Sequence, residues 1–506
     1  MRIRGFIRRP TPDRLQDIGR REFLHLTASE AEEYAAIADA SLAQLDCLDE
    51  LAPLTVPLKH QRRDPGRAPL AAEDPYNAFI RICRVEGSPG GGLAGLRVGI
   101  KDNLAVAGVP LTNGSRTLPY TPTIDAAVVE RLLDAGAAIV GKLNMDDFST
   151  AATGESSFYG PPRNPIDPKR SAGGSSGGSG AAVASGAVDL AIGVDQGGSA
   201  RIPAAFCGVV ALKATHGLIP SHGVTYLDHT IDYVCPMAQS VELVARATDA
   251  IAGPDWRDPQ WGPQGSLRTP CTEELGQSIR GLRIGIVQES AQPGTCDAAV
   301  TANFEAACAA LAAAGAEVAP ASVPLWGASW PIAQGIYLHS SWAMIQSEGM
   351  GFGHGGMVDG ERAHSFALAR RLEADDFPPF LKARLLVGRY LHEEYFSGYF
   401  AKAQNLRISL RRQVEAALTG CDLLITPTTP EVAPVLLDRP ATDHELESRG
   451  INLMDNLVPL NLTGHPALAL PSGHDGDGLP TSVQIIARRY EDSLAIRAGS
   501  ALEAAR

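Results

Sequence analysis

Lysine is scarce in this chain of 506 residues: of 44 basic side chains, seven are lysine and 37 are arginine. Against 57 acidic residues they leave a formal charge of −13, which argues against a nucleic-acid backbone or an anionic membrane surface as partner. The eight cysteines form no CxxC pair and no metal-like Cys/His spacing, which excludes a disulfide framework and a structural zinc. No apolar run reaches the roughly 18 to 20 residues of a membrane span; Ser185 and Asp189 interrupt even the most apolar stretch, 181–194. The basic start, MRIRGFIRRPTPDRL, has neither an apolar core nor a small-residue cleavage site, so a cytoplasmic enzyme is expected. No internal repeat appears. A Walker lysine is missing, and no lysine follows a serine by three residues, which removes a phosphate-cradling loop and the SxxK arrangement.

What is present has the composition of an ordinary globular protein, and predicts one large catalytic body with an appendage. Residues 11–50 carry apolar positions at helical spacing, and Thr27 to Glu30 reads as a capping box. An N-terminal helical segment and linker is therefore placed over 1–75, either packed on the body or serving as a dimerisation arm. Residues 52–75, rich in Pro, Arg and Asp, read as the linker. The catalytic domain is placed over 76–506. Segments 93–104 and 134–148 each read as a strand running into a polar loop, with a helical pattern over 125–135 between them, which implies parallel βα units. Further strands are expected in 281–287, 421–430 and 479–489, and a helix over 301–315. Residues 330–420 read as mostly helical and irregular. Within them, HSSWAMIQSEGMGFGHGGM (339–357) is either a pocket lining or a core helix followed by a surface loop.

The chemistry concentrates between Gly173 and Ser199, where two Gly-Ser clusters flank one apolar stretch. Gly173, Ser175 and Gly177 satisfy GxSxG, but a nucleophile elbow must follow a buried strand and PPRNPIDPKRSA (161–172) cannot be one. The second cluster fits better, because the apolar run 188–194 leads through Asp195, Gln196, Gly197 and Gly198 to Ser199 and then to a helix-like ARIPAAF. Ser199 is thus the better nucleophile candidate, and in such a turn the N–H groups of 196–199 can converge on an oxyanion. For its base, His216 is one candidate, although KATHGLIP reads as a turn after a strand. Lys101, between apolar RVGI and polar DNL, is another. It would have to be neutral near pH 7, a shift of about 3 units from its ordinary value, which burial at a strand end can supply. From spacing alone a surface lysine stands equally.

Lys101 in GIKDN, Ser175 and Ser176 in GGSSGGSG, and Ser199 in GVDQGGSARIPAAFCGV resemble the amidase signature family. The likeness extends through GKLNMDDFS, LKATHGLIP, ITPTTP, NLTGHPALALPSG and LPTSVQIIARRYED. The resemblance implies an α/β fold, a mixed central sheet of about eleven strands covered by helices on both faces. It implies Ser199 as acyl-forming nucleophile, Ser175 in a cis peptide as the bridging serine, and Lys101 as the ultimate base. Gln196, Gly197, Gly198 and Ser199 would supply the oxyanion hole, and Ser149 would touch the substrate amide through its backbone. Ser176, Asp195 and Arg201 would fix the loops. Neither a cofactor nor a metal is expected. The DQGGS variant and the helical N-terminal segment look closest to bacterial enantioselective amidases, which implies a free enzyme hydrolysing a linear amide to an acid and ammonia or an amine. Its partners would be a small-molecule amide and a second copy through the N-terminal helices, with no nucleic acid or membrane. The same acyl-enzyme could serve a hydrazide, carbamate or aryl amide, and an amidotransferase A-type subunit is a further alternative. ALKAT replaces GLKPT, a modest change in rigidity after the nucleophile loop, and the pocket region gives no substrate pattern.

Overall fold

The structure, a computed structural model, describes residues 7–506 apart from 53, 118, 259, 261–265, 352–354 and 440–441. Parts of the basic start, of the stretch 253–270 and of the 339–357 motif thus lie outside the described residues. The chain divides into two compact units, Met1–Pro57 and Leu58–Arg506. The first holds two helices. Pro12–Arg21 opens at Thr11, whose side chain accepts from Arg14 N–H, and Ala28–Asp46 opens with the expected Thr27–Glu30 capping box. Reciprocal bonds there satisfy donors that a helix start otherwise leaves unpaired. Arg9 clips the second helix by reaching both Asp39 and Asp46, at 2.6 and 2.7 Å.

The second unit is built on one mixed sheet. Its strands are β1 (Arg63–Arg67), β2 (Phe79–Val85), β3 (Arg97–Lys101), β4 (Ala138–Leu143), β5 (Leu190–Asp195) and β6 (Val210–Lys213), followed by β7 (Tyr233–Ala238), β8 (Arg283–Val287), β9 (Glu317–Ala321), β10 (Leu423–Pro427), β11 (Ala467–His474) and β12 (Pro480–Ile486). They lie in the order β1-β2-β4-β3-β5-β7-β6-β11-β12-β10-β8-β9. β3 runs parallel to both β4 and β5, as the alternating pattern around the helix Ala127–Asp134 predicts. β5 to β7 and β11 to β12 are antiparallel, so the sheet is mixed.

Alternate residues of each strand feed opposite faces, the period-two consequence of the pleat. Leu190, Ile192 and Val194 join one apolar cluster with the helices Val241–Ile251 and Asp492–Ala504, whereas Ala191 joins another with the helix Gly177–Ala184. Likewise Leu423 and Ile425 face one side and Leu424 the other, against the helices Ser329–Gln346 and Gly398–Gly420. Helices therefore cover both faces, because each face carries its own aliphatic row.

The described sheet has 12 strands, in keeping with the expected mixed sheet of about eleven. Its edge strand β1, RDPGR, comes from the stretch read as linker. Pro and Gly signalled a loop there, but an edge strand tolerates proline, and the register shift between Asp64 and Arg67 absorbs it. Gly66 is needed at that bulge: its φ is +65° and a Cβ would lie 1.8 Å from Ile82 O. Among the described residues, no helix is long and apolar enough to cross a membrane.

Candidate active site

Three loops meet at the ends of β3 and β5. Lys101 is the last residue of β3 and fully buried; its Nζ donates to Ser175 Oγ at 2.7 Å and to Val194 O at 3.4 Å. Burial lowers the Lys101 ammonium to about 7, and the nearby charges of Asp146 and Asp195 oppose that fall. Lys142 and Lys213 are buried as well. Lys142 Nζ donates to Leu104 O, at 2.6 Å, and pairs with Asp102, while Lys213 Nζ donates to His465 O, at 2.6 Å, above the Tyr233 ring. Of these three amines, only Lys101 meets a serine hydroxyl.

Ser175 follows a cis Gly174–Ser175 peptide bond. The preceding glycine is dictated by contact, since a Cβ on Gly174 would lie 1.9 Å from Asp146 Oδ2. Asp146 anchors the loop: its carboxylate accepts from Gly154 N–H, Ser156 N–H and Ser156 Oγ, and its own N–H donates to Ser175 O at 3.1 Å. Ser176 joins the two Gly-Ser clusters. Its N–H donates to Ser199 O at 2.9 Å, and its hydroxyl donates to Val194 O at 3.1 Å. Ser199 precedes the helix Arg201–Cys207 and is 8% exposed, against 0% for Ser175 and Lys101. Of the three, Ser199 alone keeps some exposure.

Asp195 and Arg201 form a fully buried pair at 3.0 Å. The guanidinium also donates to Asn461 Oδ1, Gln484 Oε1 and Leu457 O, and Asn461 Nδ2 returns to Asp195. The Arg201 charge holds the Asp195 carboxyl well below the usual carboxylate range against its desolvation. Asp195 then organises the turn through Gly198 N–H at 2.7 Å and Ala200 N–H at 3.3 Å. The Gly198 N–H is thereby engaged by Asp195. Gly197 and Gly198 both need to be glycine. A Cβ on the first would lie 2.5 Å from Tyr337 Oη, and the second has φ +127° with Leu457 Cδ1 2.5 Å from its Cβ position.

Ser149 lies in the turn Asp147–Ser149 at φ +59°, beside Phe148 at φ +48°. Its N–H donates to Asp146 O at 2.9 Å, so the carbonyl is the backbone group left for a ligand. The Phe148 ring packs edge-on against Phe366 and Phe377, which holds this left-handed pair in place. A small cavity beside the turn is lined by Ser149 and Gln196 and by Met344 and Leu381 from the 330–420 stretch. His216 is not at the serines: its ring donates through Nε2 to His229 O at 2.9 Å, and burial lowers it to about 4.

Asp146, Tyr337, Asn461 and Gln484 escaped the reading of residue types and spacing. Asp146 in GKLNMDDFS, Asn461 in NLTGHP and Gln484 in LPTSVQ stand in the motifs that carried the resemblance, and that was their only signal. Tyr337, whose hydroxyl donates to Gln196 O at 2.7 Å, had none.

The Amidase family model matches residues 80–496. The chain belongs to the amidase family. Among similar proteins, the A-type subunit of the glutamyl-tRNA(Gln) amidotransferase from Halobacterium salinarum is 38% identical, across 84% of this chain and 99% of that protein. The solved structure of the Thermotoga maritima protein of the same name is 29% identical with a TM-score of 0.68, covering 85% of this chain and 87% of that one. A chain from a vestigial protein complex that bears on the origins of an s-triazine catabolic enzyme is 33% identical, with a TM-score of 0.68 and coverage of 81% and 84%.

These relatives overturn two expectations. The chain was expected to be a free amidase acting on linear amides, yet amidase-family relatives at 36–38% identity over 78–84% of the chain are named as an amidotransferase subunit. Its partners were expected to be a small molecule and a second copy of itself, whereas a protein named a subunit works with other chains. The physical reason lies in the motifs: residues read for amide cleavage carry no mark of where a released ammonia would go.

Proposed function

We propose that this chain is the ammonia-releasing A-type subunit of an amidotransferase, acting through an acyl-enzyme on Ser199. Neutral Lys101 accepts the proton of Ser175 as Ser175 accepts that of Ser199, and the Ser199 oxygen bonds to the carboxamide carbon of the donor. The N–H groups of Gln196, Gly197 and Ser199 stabilise the resulting oxyanion, with Gly198 held back by Asp195 to shape the turn. Preorganised donors of this kind are each worth about 3 kcal/mol in the transition state. Reversal of the relay protonates the leaving nitrogen, ammonia departs as the C–N bond breaks, and water later cleaves the Ser199 ester. Ammonia then passes to a second subunit, where it attacks an acceptor carboxylate already activated as an acyl phosphate by a nucleoside triphosphate, and phosphate leaves as the amide forms. Asp195, Arg201 and Ser176 keep the two loops in register for these steps.

The observation that carries this reading is the 38% identity to the Halobacterium protein over 99% of its length. Support for the chemistry is the Lys101–Ser175 bond at 2.7 Å. The test uses the chain together with the proteins that copurify with it from its host, a donor labelled with ¹⁵N in its amide, glutamyl-tRNA(Gln), and a nucleoside triphosphate with Mg²⁺ to activate the acceptor carboxylate. Label should enter an amide on the acceptor and should not do so with Ser199→Ala. Release of all label as free ammonia, at a rate indifferent to acceptor and partners, rejects the subunit role.

A further inference from the structure

A second cleft opens where three neighbouring strands end. β8 runs parallel to both β9 and β10, so their carboxyl ends lie together, and four strands separate β10 from β5 in the sheet. Beyond such carboxyl ends α/β folds commonly take small ligands. Glu289 after β8, Trp326 after β9 and Pro430 after β10 line a cleft of ≈ 340 Å³ together with Trp330, Asp455 and Asn456. Ligand pockets span roughly 300–1,000 Å³, so this one suits a small molecule. Lys101, Ser175, Ser199 and Gln196 are not among its lining residues.

The walls are fixed by the fold. Trp326, 2% exposed, donates its indole N–H to Asn456 Oδ1 at 3.0 Å, and Asn456 Nδ2 donates to Ser290 O at 3.0 Å. The Trp330 ring packs edge-on against Tyr337, with 6.1 Å between centroids. Ser322 Oγ and Val323 N–H donate to the two oxygens of Glu289, at 2.5 and 3.0 Å. Burial would raise that carboxyl, but these bonds hold it below its ordinary value, so it is charged at neutral pH. Asp455 supplies a second carboxylate, on an exposed residue. Among the described residues no Lys, Arg or His lines the cleft, which presents two carboxylates and two indole rings.

We propose that this cleft binds a small organic ammonium, a protonated amine carried on a flat apolar body, with its nitrogen toward Glu289 and Asp455 and its body against Trp326 and Trp330. Bonds from an ammonium to a carboxylate are charge-assisted, and an indole face attracts both a cation and an apolar ring. An anionic ligand would meet like charge. A bare divalent cation fits poorly: among the described residues no group of three or more His, Cys, Asp or Glu could hold a metal ion, and indole walls offer it no oxygen. The site does not depend on the acyl chemistry at Ser199.

Phenethylamine, 2-phenylethanol and 3-phenylpropanoate share a phenylethyl group and end in ammonium, hydroxyl and carboxylate; butylamine keeps the ammonium without the ring. Calorimetry with the full chain should find phenethylamine bound at least about tenfold more tightly than the other three. Asp455→Asn and Glu289→Gln keep each side chain's shape and remove its charge. Each should weaken phenethylamine about tenfold, the equivalent of one charge-assisted hydrogen bond, and leave 2-phenylethanol unmoved. Thermal unfolding confirms that both variants fold. Phenethylamine binding should survive Ser199→Ala, so failure of the acyl-enzyme reading leaves this test intact. Equal affinity for phenethylamine and either 2-phenylethanol or butylamine overturns the proposal. So does an affinity unmoved in both charge variants, or binding lost in Ser199→Ala.

Discussion

Lys101 Nζ donates to Ser175 Oγ at 2.7 Å although 74 positions separate the two residues, and both are fully buried. The protonation state of the amine decides what that contact can do. As an ammonium Lys101 can only donate; as a neutral amine it accepts the hydroxyl proton, which is the state the relay needs. Substituting either end of the relay removes different things. Ser199→Ala deletes the proposed acyl acceptor, and Lys101→Ala deletes the proposed proton sink. Amide turnover should fall by at least about 10³-fold in each, with the two losses far from additive in the double variant. Steady-state ammonia release, beside thermal unfolding to confirm the fold, checks this.

The second prediction concerns pH. Burial lowers Lys101 to about 7, so below that value it is charged and cannot accept a proton. kcat/KM should therefore rise with pH, falling about tenfold per unit below the inflection and flattening above it. A profile measured from pH 5 to 9 should bend near 7. A profile flat over this range contradicts the role of Lys101 as base.

A third follows from the Asp146 carboxylate, whose charge raises the Lys101 value against desolvation. Removing the charge removes that support, so Asp146→Asn should move the inflection to lower pH. The variant also loses acceptor capacity toward Gly154 and Ser156, and some stability should go with it. A purely structural role for Asp146 would lower the unfolding temperature and leave the inflection where it is.

The Asp195–Arg201 pair gives a fourth. With both side chains at 0% exposure, Arg201→Ala strands a buried carboxylate and unpairs Asn461 Oδ1 and Gln484 Oε1. A loss of about 3–5 kcal/mol is expected. Denaturant unfolding of the variant beside the wild type measures it.

Lys101, Ser175 and Ser199 could be singled out as candidates because each stands in a short motif whose residue types are few and whose spacing is fixed by a strand and a turn. The parallel β3–helix–β4 unit was legible for a related reason, since its hydrophobic period changes from two to 3.6 and back. The tie on the Gly198 amide was not. That amide looks the same in sequence as its neighbours', and only the fold brings the Asp195 carboxylate to 2.7 Å from it. β1 was hidden because RDPGR has the composition of a loop and becomes a strand by pairing with β2 across a bulge. Tyr337 was hidden because it reaches Gln196 O across 141 positions from the middle of an 18-residue helix. The fate of ammonia lies outside the catalytic motifs, so residues that announce amide cleavage gave no warning of a partner.

The central claim is that Ser199, driven by Lys101 through Ser175, is the acyl acceptor. A fluorophosphonate tests it without a partner or a known substrate, because phosphorus bonds to the serine oxygen as fluoride leaves. Mass spectrometry of the labelled, digested chain should find one stoichiometric adduct on Ser199, none in Ser199→Ala, and much slower labelling in Lys101→Ala. An adduct on another residue, or undiminished labelling of Ser199→Ala, would contradict the account.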